Sequence, residues 1–229
     1  NLPETVNGWE QKPVLENDHL GSVPRTNISI KISSLFANTD PIAHDDSIEG
    51  LLESLRPILE EAEKTSTFIN FDMEQFEYKD LTLELFMRCC EEVDFPAGIA
   101  MQAYLRSGDE DAKQIIEWST RKNRPVTVRL VKGAYWDYET IHAEEMGWPV
   151  PVWSRKVDTD ACFERMASLF IDSTPKDVGV GGVSLALGSH NIRSIATAMA
   201  LLEKRGLPTA AIEIQMLRGM ADELKSAVL

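Results

Sequence analysis

Apolar residues recur along this chain with two periods that take turns, every second residue over short runs and then every third or fourth over longer ones. In the first short run, Asn27 to Ser33, Ile28, Ile30 and Ile32 alternate with Ser29, Lys31 and Ser33. Behind Asp46, a residue suited to capping, Ile48, Leu51, Leu52, Leu55, Ile58, Leu59 and Ala62 follow at helical spacing. Pro57 lies inside that run and predicts a kink or a break. The strand-like period returns in 67–72, 99–104, 126–131, 183–190 and 211–217, and the helical period in 79–92 and 109–121. Further helices are predicted on either side of 148–154, the second over about 159–171, then from Asn191 to a stop at Gly206 and over 219–229. Residues 1–26 carry Pro3, Pro13 and Pro24 without periodicity, which predicts a loop or linker ahead of a domain at 27–229.

Alternating strands and helices predict parallel pairing with crossover helices. Each strand has an aliphatic face and a small or polar one: Ser29 and Lys31; Asn70 and Asp72; Ala100 and Gln102; Thr127 and Arg129; Ala186, Gly188 and His190; Glu213 and Gln215. In an open doubly wound sheet both faces meet helices and read apolar, whereas a closed barrel gathers one face of every strand around an axis. No Gly-x-Gly-x-x-Gly turn is present, so the expected fold is an α/β protein of the (β/α)8 barrel type. Six strands are visible where such a barrel needs eight, which predicts an incomplete barrel within a longer polypeptide.

The formal net charge of −14 repels phosphate backbones, so nucleic acid is not an expected partner of this segment. Cys89 and Cys90 are adjacent and Cys162 is distant, which forms no disulfide framework and suggests a reducing compartment. The histidines show no metal-ligand spacing, and no apolar run approaches the ~20 residues of a membrane span. No signal-peptide pattern is read at the N-terminus.

Candidate chemistry gathers at strand ends. The stretch 129–137, Arg-Leu-Val-Lys-Gly-Ala-Tyr-Trp-Asp, delivers cations, a glycine and two aromatics where backbone can approach a ligand closely. Singly, each residue has a plain explanation. Lys31 could be a solvated edge residue, Asp72 a helix cap, Gln102 a buried amide satisfied by backbone, and His190-Asn191 the opening of a helix. Together, a lysine, an aspartate, a glutamine, an arginine and a histidine from successive strands share one face. Each polar group left unsatisfied there would cost ~1–3 kcal/mol, a cost that a bound polar cofactor removes.

Several segments together resemble the ordered motifs of the FAD-dependent proline dehydrogenase family: 28–33, Phe71-Asp72-Met73-Glu74, Met101-Gln102-Ala103-Tyr104, 129–137, Arg155-Lys156, Ser189-His190-Asn191 and 213–220. The resemblance covers 27 to about 224 and implies a distorted eight-stranded barrel with FAD at the carboxyl ends of its strands. It implies oxidation of L-proline to 1-pyrroline-5-carboxylate by hydride transfer to the flavin. By position it makes Asp72 and Arg129 catalytic and Lys31 substrate-binding. It makes Met73, Gln102, Arg129, Val131, Lys132, Gly133, Ala134, Trp136, Arg155, Lys156, Ser189, His190, Asn191, Gln215 and Leu217 cofactor-binding, the cations suiting a pyrophosphate. It further implies a membrane quinone as electron acceptor and a cytoplasmic placement, peripheral to the inner membrane, and leaves open whether an aldehyde dehydrogenase domain follows. The family's first barrel strand and the last helix, with its two carboxylate-clamping arginines, have no counterpart here, so this segment alone is expected to be deficient in substrate binding.

Two alternatives stand beside this one. A barrel lyase or aldolase would form a Schiff base on Lys132 or Lys31, although Lys132 has the opposite parity to Arg129. A non-enzymatic segment retained for interactions is compatible with the acidic composition.

Overall fold

The computed structural model describes residues 2–228; Asn1 and Leu229, the outer ends of the expected leading loop and final helix, lie outside them. Contacts divide the chain into two compact units, Asn1–Asn17 with Gly21–Ala100, and Asp18–Leu20 with Met101–Leu229.

In the first unit, α1 (Leu2–Asn7) and α2 (Pro13–Glu16) precede β1 (Asn27–Ile30), α3 (His44–Thr65), β2 (Phe68–Phe71), α4 (Lys79–Glu92) and most of β3 (Ala97–Gln102). The three strands pair in parallel, Ile28 opposite Ile69 and Asn70 opposite Gly98. Leu51, Leu55 and Leu59 of α3 are buried, and Phe71 meets Phe86 of α4 edge-on at 5.4 Å between centroids.

Three expectations are corrected here. The leading segment contains two short helices, α2 carrying Pro13 in its first turn, where a missing N–H costs nothing. The long helix begins at His44, two residues earlier than expected, and continues past Pro57 without a break. Pro57 is exposed, so water can satisfy the carbonyl of Glu53 that loses its donor. β1 stops at Ile30, and a 3₁₀ turn at Ile32–Ser34 follows. Lys31 therefore stands just past the strand. Ile28 is exposed and Ile32 fully buried, so the aliphatic face of this run is covered only toward its end.

The second unit continues with α5 (Gly108–Lys122), β4 (Val126–Val131), α6 (Trp136–Met146), α7 (Lys156–Asp172), β5 (Val183–Gly188), α8 (Ile192–Arg205), β6 (Ile212–Gln215) and α9 (Asp222–Val228). β4, β5 and β6 pair in parallel. α7 packs against α5, α8, β4 and β5, and its Phe163, Met166 and Phe170 are fully buried. The burial of β4 alternates strictly, Val126, Val128 and Leu130 covered and Thr127, Arg129 and Val131 half-open. No helix among the described residues is long and apolar enough to cross a membrane.

Candidate active site

Each unit carries its own share of the candidate residues. In the first, the Asp72 N–H donates to the Ile30 carbonyl at 2.8 Å, continuing the β1–β2 ladder past its last pair, Ile30 and Phe71. Lys31 and Asp72 thus occupy neighbouring register positions at the carboxyl ends of two parallel strands. Asn70, buried in β2, donates from Nδ2 to Asp72 Oδ1 at 3.1 Å. The buried Glu74 accepts from the Ser33 amide at 3.1 Å and the Ser33 hydroxyl at 2.6 Å, which pins the turn that follows Lys31. Met73 is buried between these two carboxylates in the sequence. Neither Asn70 nor Glu74 was among the expected site residues, although both lie on the motif-bearing strand end.

In the second unit the register aligns Arg129 with Ala186 and Ala186 with Glu213, so a cation and a carboxylate flank a small residue in one row. The next row places Gly188 opposite Gln215, and Gln215 Nε2 donates to Glu213 Oε1 at 3.0 Å. A Cβ at Gly188 would stand 2.9 Å from Cγ1 of Val131, so a side chain there would close the floor of this trough. The polar-face parity of β4, β5 and β6 is thus present in the fold.

Beyond β4 the chain breaks at Gly133, whose φ of +125° is strained for any L side chain. A Cβ at Gly133 would lie 2.5 Å from Cγ of Tyr104, because the loop rests directly on that buried ring. Amides of Ala103 and Tyr104 donate to the carbonyls of Val131 and Lys132 at 2.9 and 2.8 Å, and fix this contact. Burial and the neighbouring Glu139 carboxylate push the Tyr104 hydroxyl well above the usual phenol range. Ala134 is exposed, and Trp136 is held by its Nε1, which donates to the Trp153 carbonyl at 2.8 Å.

Lys132 leaves on the side opposite Arg129. Its ammonium pairs with Asp160 of α7 and lies 5.7 Å from the Phe163 ring centroid. Asp160 also accepts from Lys156 Nζ at 2.7 Å; burial, the largest single influence on its carboxyl, raises it, and the hydrogen bonds and charges of the two lysines together outweigh that and hold it below the usual range. Arg155 forms a two-point pair with Asp158 at 2.8 Å, and that hydrogen bond in particular keeps Asp158 ionised to lower pH. A lysine engaged with a carboxylate in this way is a poor Schiff-base nucleophile, which weighs against the lyase alternative.

The turn after β5 is locally ordered. Ser189 Oγ accepts from the Asn191 amide, and Asn191 Oδ1 caps α8 by accepting from Ser194 N–H, both at 3.1 Å. His190 Nε2 accepts from the Leu217 amide at 3.0 Å, so in the neutral ring the proton sits on Nδ1. Gln102 ends β3 as a buried side chain. Cys89 and Cys162 are buried thiols, pushed by that burial up to about 12 and about 11, which leaves no thiolate at neutral pH.

Residues 3–229 match the model of a family described as proline dehydrogenase. The chain belongs to that family. It is 29% identical over 211 residues to the bifunctional protein PutA of Klebsiella aerogenes, covering 88% of this chain and 15% of that protein. Proline dehydrogenase 1 of Bacillus subtilis is 28% identical over 191 residues, 83% of this chain and 55% of the relative. Among solved structures, proline utilization A from Bdellovibrio bacteriovorus, inactivated by N-propargylglycine, superposes with a TM-score of 0.92 at 39% identity, covering 99% of this chain and 24% of that one. The chain therefore spans a minor part of the PutA proteins it resembles. Its fold class is an incomplete (β/α)8-type barrel, with six strands among the described residues. The family match begins at residue 3 and so takes in nearly all of the leading segment, which the sequence motifs alone placed outside it.

Proposed function

We propose that the chain is the flavin-holding, proline-oxidising part of its protein, converting L-proline to 1-pyrroline-5-carboxylate. The observation that carries this is the aligned row Arg129–Ala186–Glu213, with its small-residue floor, in a chain of the proline dehydrogenase family. The donor set fits FAD. Gly188 and Ala186 clear a surface beside Arg129, Gly133 brings backbone to the strand ends, and Arg155, Lys156 and Lys132 supply cations for two phosphates. Arg155 and Lys156 also open α7, where the helix dipole disfavours positive charge, and a bound anion removes that conflict.

Bound there, FAD would supply the two-electron acceptor that oxidation of a carbon–nitrogen bond requires. Arg129 would supply a cation beside the group that takes up the negative charge of those electrons. Asp72, oriented by Asn70, stabilises the positive charge that grows on the ring nitrogen as the double bond forms. Lys31, beside it in register, attracts the substrate carboxylate. The acceptor of those electrons would be a membrane quinone, with the protein working at the cytoplasmic face of the inner membrane. In the bifunctional relatives the same polypeptide carries a second activity, and an aldehyde dehydrogenase domain that consumes the product fits this chain as well.

The test is the absorbance spectrum of the full-length protein purified with FAD, followed without oxygen as L-proline is added. A flavin spectrum bleached by proline is expected. Absence of flavin binding, or a spectrum indifferent to proline, overturns the proposal.

A further inference from the structure

The segment that leads into α7 is tied down from an unexpected quarter. Arg106 Nε donates to the carbonyls of Val150 and Val152, both at 3.1 Å, and its own amide donates to Pro151 O at 2.9 Å. Its guanidinium carbon lies 5.3 Å from the centroid of the Trp153 ring. Trp153 N–H in turn donates to Tyr104 O at 2.8 Å, and Leu105 forms an antiparallel bridge with Val152. Tyr104, Leu105 and Val152 make a small buried cluster.

A merely solvated surface arginine has no reason to aim at two main-chain carbonyls 44 and 46 residues away. The strap it serves contains Pro149 and Pro151, which lack N–H groups and cannot build a regular ladder. Two of its carbonyls, those of Val150 and Val152, take a donor from outside the strap. The planar guanidinium supplies one while also stacking on Trp153, a combination an ammonium does not reproduce. Two and three residues after Trp153 the chain reaches Arg155 and Lys156.

We infer that Arg106 is a positioning residue for the cofactor's phosphates, fixing the strap so that the cationic start of α7 is presented in one place. The inference rests on the flavin reading above and adds to it a residue that touches neither substrate nor cofactor. Because the strap serves the phosphate-facing cations and not the isoalloxazine row on β4 to β6, its loss weakens a phosphate-bearing flavin selectively.

The experiment compares FAD with riboflavin, which has no phosphate, in fluorescence titrations of the full-length apoprotein carrying Arg106, Arg106→Met or Arg106→Lys. Arg106→Met is expected to raise the Kd for FAD about ten-fold and leave that for riboflavin within about two-fold, with Arg106→Lys between. Equal losses for both flavins, or no loss for either, overturn the inference, because a general stabiliser moves both together. If Arg106→Met does not fold, Arg106→Lys decides by the same criterion. Failure of the unaltered protein to bind FAD removes the flavin reading and this inference together; binding that the exchanges do not affect removes the inference alone.

Discussion

The carboxylate just past β2 and the lysine just past β4 are held by opposite means. Asp72 is oriented from within its own strand by a buried neutral amide, and the neighbouring turn is pinned by a buried carboxylate on two donors. Such a network is costly to leave half-made and so defines one geometry. In the second unit the devices are clearance and exchangeable ion pairs. Gly133 and Gly188 make room, and the cations of Lys132, Lys156 and Arg155 are paired with two carboxylates of α7, Asp158 and Asp160. The first arrangement suits a group that must not move while bonds change. The second suits a surface that must accept a large anionic molecule.

That contrast can be broken at four places. Asp72→Asn keeps size and removes charge, and should lower the rate of flavin reduction by proline about 100-fold or more while flavin content stays normal. Stopped-flow bleaching with a flavin-to-protein ratio measures both, and loss of flavin would place Asp72 on the cofactor side. Arg129→Met should lower the flavin reduction potential by about 65 mV if ~3 kcal/mol of selective stabilisation of the reduced form is lost. A redox titration beside the unaltered protein reads this, and an unchanged potential would make Arg129 a structural partner of Glu213. Gly133→Ala combines a disfavoured φ with a collision against Tyr104, at ~2–3 kcal/mol in all. Lower Tm and lower flavin content are expected together. The smallest effect is Asn70→Ala, which should cut kcat/KM for proline about five- to ten-fold, the loss of one hydrogen bond to a charged group, with the flavin potential unmoved. A shifted potential would show that the two regions are not separable in this way.

Strand parity was legible because it depends only on the two-residue repeat. Arg129, Ala186 and Glu213 fall in one row as the alternation of their strands requires. Lys132 facing α7 follows from the same rule, read one residue further on. The end of β1 was not legible: Ile32 keeps the apolar alternation because a 3₁₀ turn also buries it, so the pattern runs on after the strand has stopped. Pro57 misled because its propensity says nothing about which face of the helix meets water. The seat of Gly133 on Tyr104 and the grip of Arg106 on 150–152 join residues distant in sequence. The motif Gln102-Ala103-Tyr104 was visible, but nothing in a periodicity says which ring a glycine will rest on.

Asp160 gives the second unit a resident counterion. Because one carboxylate is shared by Lys132 and Lys156, half of this positive charge is offset within the fold and one unit of it is left over. If the proposed flavin phosphates bind there, an arriving dianion would trade places with the Asp160 side chain, as on an ion-exchange resin, and would not simply fall into an attractive well. The partly buried resident pair is screened by salt less than a charge arriving through solvent, so added salt would favour the resident over the newcomer.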